Sequence, residues 1–153
     1  MGSILFGGID KGKYLGELID IPVLTEEPEI YISTIVQLKS IIASDPGDGK
    51  IDFQPTNVTL DTAASFLYLP NNTAQSIYKS MGVKLSDGIP YLPCISSSDF
   101  SLSFVFDNDA VIKVPYSELV APILVDTRSR VPRQEMGVDP KDICALYIVP
   151  RPA

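Results

Sequence analysis

Apolar positions come in short runs, at residues 3–6, 18–23, 30–38, 57–60, 65–69, 100–106, 110–114 and 143–149, with Gly, Pro, Asn and Asp in the segments that separate them. Runs of that length with turn residues between them predict a mostly β, antiparallel domain. Strict alternation in Phe100-Ser101-Leu102-Ser103-Phe104 marks a strand with one buried face. The following Asp107-Asn108-Asp109 tolerates left-handed backbone, so a hairpin to residues 110–114 is expected.

A helix is expected over Asn71–Met81, because Pro70 and the cap-competent Asn71-Asn72-Thr73 precede it and Gly82 follows as its stop. A shorter helical turn is expected over residues 116–120, after Pro115. Residues 43–50 and 128–141 are rich in Gly, Pro or charge and read as surface loops. The acidic Glu26-Glu27-Pro28-Glu29 reads as a solvated turn.

Composition narrows the chemistry. At 153 residues the chain fits one domain, and 45% apolar against 20% charged residues places it among folded proteins. Twelve Lys and Arg against nineteen Asp and Glu give a net charge of −7 with no basic stripe, which excludes nucleic acid as a partner. There is no histidine, which removes Ser–His and Cys–His nucleophile pairs and imidazole metal ligation together. Any proton chemistry must then fall to carboxylates.

Cys94 and Cys144 form no CxxC pair and have no ligand cluster near them, so neither a metal nor any other cofactor is expected. A disulfide and two separate core thiols both fit the spacing. No run reaches the ~20 apolar residues of a membrane span. The N-terminus shows no basic leader with a cleavage site, and Phe6 stands where a myristoylation signal needs Ser or Thr.

The candidate for chemistry is the run Val58-Thr59-Leu60-Asp61-Thr62-Ala63-Ala64-Ser65, continuing through Tyr68-Leu69-Pro70. It puts one carboxylate at the end of an apolar strand, next to a hydroxyl and two small residues that admit close backbone approach. Burial raises a carboxyl pKa and backbone N–H donors lower it, so such a turn can tune proton affinity. By pattern alone an ordinary turn fits as well. Two sequons are present, at Asn57-Val58-Thr59 and Asn71-Asn72-Thr73. Asn57 lies on the strand entering the site and is a poor glycan acceptor, whereas Asn71 is either a helix cap or a glycosylation site.

Taken in order, several segments resemble the C-terminal lobe of the pepsin-like aspartic peptidases, fungal secreted members above all. Gly2-Ser3-Ile4-Leu5-Phe6-Gly7-Gly8-Ile9-Asp10, with Tyr14, Gly16, Leu18 and Pro22-Val23, is similar to the start of that lobe. Leu60 to Pro70 resembles the second Asp-Thr/Ser-Gly motif and its downstream helix. Cys94, residues 102–106, Val114-Pro115-Tyr116-Ser117-Glu118-Leu119 and Cys144 fall where the family has a disulfide, a core hairpin and a helical turn.

The resemblance implies the β-barrel acid-protease lobe with one or two short helices, a Cys94–Cys144 bridge and hence a secretory or extracellular location. It implies aspartic-type endopeptidase chemistry on a peptide or protein substrate, with Asp61 as the second of two aspartates and Thr62 bracing the active-site loops. Ala63 replaces the family's Gly, and Ala64 stands where many members carry Ser or Thr. No first Asp-Thr/Ser-Gly motif occurs, and the hydrophobic-Gly segment that completes the site's crossed-loop support is not found. The chain therefore reads as a partial domain, 1–153, without an N-terminal lobe and final strands, inactive alone. Its partner is then that lobe or a second copy of the chain. The alternative is a non-catalytic, peptide-binding or inert remnant.

Overall fold

The computed structural model describes residues 7–13, 16–25, 33–44, 51–86, 88–94, 100–122 and 142–151. The runs expected at residues 3–6 and the loop at 128–141 lie outside these residues, as do residues 26–29 and most of the loop at 43–50. The strands are β1 (Ile35–Ala43), β2 (Thr56–Thr59), β3 (Leu67–Leu69), β4 (Lys84–Ser86), β5 (Ile89–Pro93), β6 (Ser101–Phe106), β7 (Val111–Pro115), β8 (Val120–Pro122), β9 (Ile143–Leu146) and β10 (Ile148–Pro150). Helix α1 (Asn71–Met81) lies between β3 and β4. The mostly β architecture with one helix is as expected.

Three sheets result, with orders β2-β1-β6-β7, β10-β3 and β4-β5-β9-β8. All pairings are antiparallel except β10 with β3. Among the described residues the sheets are not closed into a barrel.

Strand β1 shows why an apolar run need not alternate. Val36 and Leu38 are buried, and so are Ile41 and Ala43, a set that changes phase after Leu38. The pairing with β6 shifts between Leu38 and Ser40, and this bulge turns both halves of the strand toward one core. Lys39, displaced to the surface, makes a 3.1 Å ion pair with Asp107.

The hairpin of β6 and β7 forms as expected, with Leu102, Phe104 and Phe106 inward. Its turn is a short 3-10 helical stretch in which Asn108 and Asp109 both take φ of 54°. That left-handed conformation is the one that Asn and Asp adopt at least cost among non-glycine residues. Asn108 Nδ2 also donates to the Asp20 carbonyl at 2.7 Å, tying residues 16–25 to the hairpin.

Helix α1 buries Thr73, Ala74, Ile77 and Tyr78 on one stripe and ends at Gly82, whose φ of 68° only glycine takes without strain. Its start differs from the capping that Asn71 offers. Pro70 holds the cap position without a side-chain bond, and Asn71 is the first helical residue and exposed.

Other expectations change in detail. Residues 18–23 form no strand; Ile21 packs against the core, the Asp20 carbonyl accepts from Asn108, and the next residue, Leu24, makes an isolated bridge to Ile35. The run at 143–149 divides at Tyr147 into β9 and β10, which join different sheets. The helical turn expected over 116–120 is confined to Tyr116–Glu118, and Val120 starts β8.

Cys94 and Cys144 form a disulfide with Cα atoms 4.9 Å apart, joining the end of β5 to β9. Among the described residues no helix is long and apolar enough to cross a membrane.

Candidate active site

Asp61 lies in the loop between β2 and β3. Strand β2 delivers it, since β2 is held to β1 in register from Ile35↔Thr59 to Leu38↔Thr56 and the Leu60 amide donates to the Thr34 carbonyl at 3.0 Å. Strand β3 receives the chain on the far side of the loop. It is fixed by β10 through Ile148↔Leu67, Val149↔Tyr68 and Pro150↔Leu69. Beyond the ladder, Leu67 N–H donates to the Tyr147 carbonyl at 2.8 Å and Arg151 N–H to the Leu69 carbonyl at 2.7 Å.

Between these anchors the loop turns on its own carboxylate. Ala63 N–H donates to Asp61 Oδ1 at 2.9 Å, and Ala64 N–H reaches the Asp61 carbonyl at 3.4 Å. A short acidic side chain that accepts an amide two residues on is the Asx-turn mechanism, and it orients one carboxylate oxygen while the other stays open. Asp61, Thr62, Ala63 and Ala64 are all exposed. Among the described residues, only Asn108 and Asp109 are non-glycine residues at positive φ, so Ala63 takes a backbone conformation that any L-residue accepts. The methyl group that replaces the family's glycine hydrogen therefore brings no backbone strain.

Asp61 opens onto a groove of about 1010 Å³. Leu60, Phe66, Tyr68, Ile112 and Tyr147 supply apolar surface to it and remain partly exposed, and Glu118 and Arg151 add one charge of each sign. Phe66 packs edge-to-face on Tyr147 with ring centroids 5.9 Å apart and on Tyr68 at 6.5 Å, which ties the end of the Asp61 loop to the segment leading into β10. The groove is a concave, mainly apolar surface with a few polar groups, the general character of a ligand-binding site.

Thr62 and Ala64 sit beside Asp61 in the loop, and Thr62, Ala64 and Asp61 all line the groove. Cys94 and Cys144 do not line it; they brace β5 against β9. Asn71 follows the groove residue Pro70 but is not itself in the lining, whereas Asn57 is. Glu118 falls in the family-like segment 114–119, but its place in the groove, like those of Tyr147 and Arg151, is not legible in the sequence, because each comes from a segment more than fifty residues from Asp61. Among the described residues no three acidic or cysteine side chains gather as a metal site would require.

The model of the eukaryotic aspartyl protease family matches residues 1–130. A probable aspartic-type endopeptidase of Aspergillus oryzae is 35% identical over 126 residues, covering 78% of this chain and 26% of that protein. The secreted aspartic protease 1 of Candida albicans is 38% identical over 125 residues, covering 80% of this chain and 30% of that protein. A probable aspartic-type endopeptidase of Arthroderma benhamiae is 36% identical over 125 residues, 78% of this chain and 25% of that protein. The chain thus spans about a quarter of the length of the curated relatives it matches.

Proposed function

The chain belongs to the eukaryotic aspartyl protease family, and we propose on that premise that it supplies one half of an aspartic endopeptidase site, with Asp61 as its carboxylate. The observation that carries this reading is the Asp61 loop itself. One oxygen of Asp61 is oriented by the Ala63 amide, and the loop opens onto a groove with room for peptide.

Peptide hydrolysis of this type requires two carboxylates in opposite protonation states. The ionised one removes a proton from water as the water oxygen bonds to the scissile carbonyl carbon; the protonated one gives its proton to the carbonyl oxygen. Collapse of the tetrahedral intermediate then breaks the C–N bond as the amine leaves with a proton. Asp61 fills one of these roles and cannot fill both in one step. The second carboxylate comes from a complementary lobe bearing its own Asp-Thr-Gly, or from Asp61 of a second copy. Thr62, next to Asp61, is the residue that contacts the opposing loop in that assembly.

Secretion fits the disulfide and the secreted Candida relative. On this reading a single copy of the chain, with one carboxylate at the site, cleaves nothing. The alternative, a groove that binds peptide without hydrolysing it, is favoured by the single amide donor to Asp61 in a loop with Ala63 and Ala64.

The test is cleavage of an unfolded protein substrate at acidic pH by the chain alone and by the chain joined to a family N-terminal lobe. Activity only in the joined form supports the complementary-lobe reading. Activity of the chain alone that rises with the square of its concentration supports pairing of two copies. A folded but silent joined form supports the peptide-binding alternative.

A further inference from the structure

The two sequons differ in what their asparagines do once the chain is folded. Asn57 lies within β2 opposite Gln37, and it lines the groove beside Asp61. Asn71 is the first residue of α1, exposed, and absent from the groove lining. A role as helix cap would engage its side chain, but Pro70 occupies the cap position and no side-chain cap bond is made. Its carboxamide has no hydrogen bond among the described residues.

We propose that Asn71 carries an N-linked glycan. The inference rests on the secretory location argued above and is independent of catalysis. The acceptor sequence is complete, with Asn at position 71, a non-proline residue at 72 and Thr at 73, followed by Ala74. The Cys94–Cys144 disulfide marks a chain suited to the oxidising compartment in which such transfer takes place.

In the transfer, Nδ2 of Asn71 bonds to the anomeric carbon of an oligosaccharide carried on a lipid pyrophosphate. The bond from that carbon to the pyrophosphate oxygen breaks, the lipid pyrophosphate leaves, and the amide nitrogen gives up one proton. Transfer precedes completion of the fold, so the burial of Thr73 in the finished helix is no obstacle. What the fold must provide afterwards is an outlet for the sugar. The solvent-facing start of α1 provides one, and because Pro70 lines the groove, the first sugars stand at its rim.

The experiment is translation of the full chain behind a secretory leader in the presence of endoplasmic-reticulum microsomes, with Asn71→Gln and Asn57→Gln variants beside it. The lumenal product is treated with a peptide glycosidase in oxygen-18 water and mapped by mass, and its disulfide is scored by non-reducing mapping. The expected result is a glycan that is lost in Asn71→Gln and retained in Asn57→Gln, with labelled aspartate at position 71. A lumenal product without label at position 71, or a glycan that survives Asn71→Gln and is lost in Asn57→Gln, overturns the inference. If the disulfide forms while position 71 stays unlabelled, the glycan fails and the secretory reading stands; free thiols together with an unlabelled position 71 in the lumenal product sink both.

Discussion

The Tyr78 hydroxyl donates to the Ile148 carbonyl at 2.9 Å, a buried bond between residues 70 apart. It joins α1 to β10, and β10 is the strand that holds β3 behind the Asp61 loop. Ile148 lies beyond residues 1–130 that the family model matches, so a segment outside the matched region is locked to the helix that follows the candidate site. Removing the donor leaves a buried carbonyl unpaired, which costs about 1–3 kcal/mol. Tyr78→Phe is expected to lower stability by that amount and to speed amide exchange at Leu67 and Arg151 more than in β6. Unchanged exchange at those two amides would contradict the linkage.

Burial pushes the Tyr78 hydroxyl above the usual tyrosine range. Between the unfolded and the folded values the native state therefore holds one more proton than the unfolded state. The corresponding stability is complete below about pH 10 and is lost as pH rises through the raised folded value. Urea midpoints measured across that alkaline range should fall for the wild-type chain and fall less steeply for Tyr78→Phe, since phenylalanine has no proton to lose.

Reducing the Cys94–Cys144 bridge opens a loop with a sequence separation of 50. In the chain-entropy model that loop is worth about 4 kcal/mol. Denaturant unfolding with and without reductant should differ by an amount of this order, and because Cys144 is in β9 the loosening should extend into β10 and β3.

Ala63→Gly separates a crowded site from a tolerant one. Because Ala63 sits at negative φ and is exposed, glycine there gains no room and adds freedom to the unfolded chain. The expected outcome is a loss of about 0.4–1 kcal/mol in stability. In a two-lobed assembly the variant should cleave at about the parent's rate; a large gain would show that the methyl group obstructs the partner loop.

The sequence revealed the elements whose signals are local. The β6–β7 hairpin announces itself through alternation and Asp107-Asn108-Asp109, and α1 through Pro70 and Gly82. Strands β4, β5 and β8 carry little local signal: each has three to five residues, and β5 and β8 contain Pro90, Pro93 and Pro122, which argue against central strands although their neighbours supply the pairing. The phase slip in β1 hid its bulge. Tyr147 is apolar enough to continue a run, and only the competition of two sheets for the chain on either side of it makes a break there. The motif nominates Asp61 as a candidate, whereas the groove around it is assembled from Phe66, Ile112, Glu118, Tyr147 and Arg151, which only the tertiary fold brings together.

The central claim is that Asp61 is one of the two carboxylates of a peptidase site, and the most direct measurement is the rate at which a two-lobed assembly cleaves an unfolded protein at acidic pH, with Asp61 and with Asp61→Asn. Asparagine keeps the size and an acceptor for the Ala63 amide but can neither ionise nor give up a proton as an acid. Loss of general acid–base catalysis of this kind corresponds to roughly 10²–10⁴-fold in rate. The expected result is a fall of that order with the fold intact by circular dichroism; cleavage at the parental rate by the Asp61→Asn assembly would contradict the account.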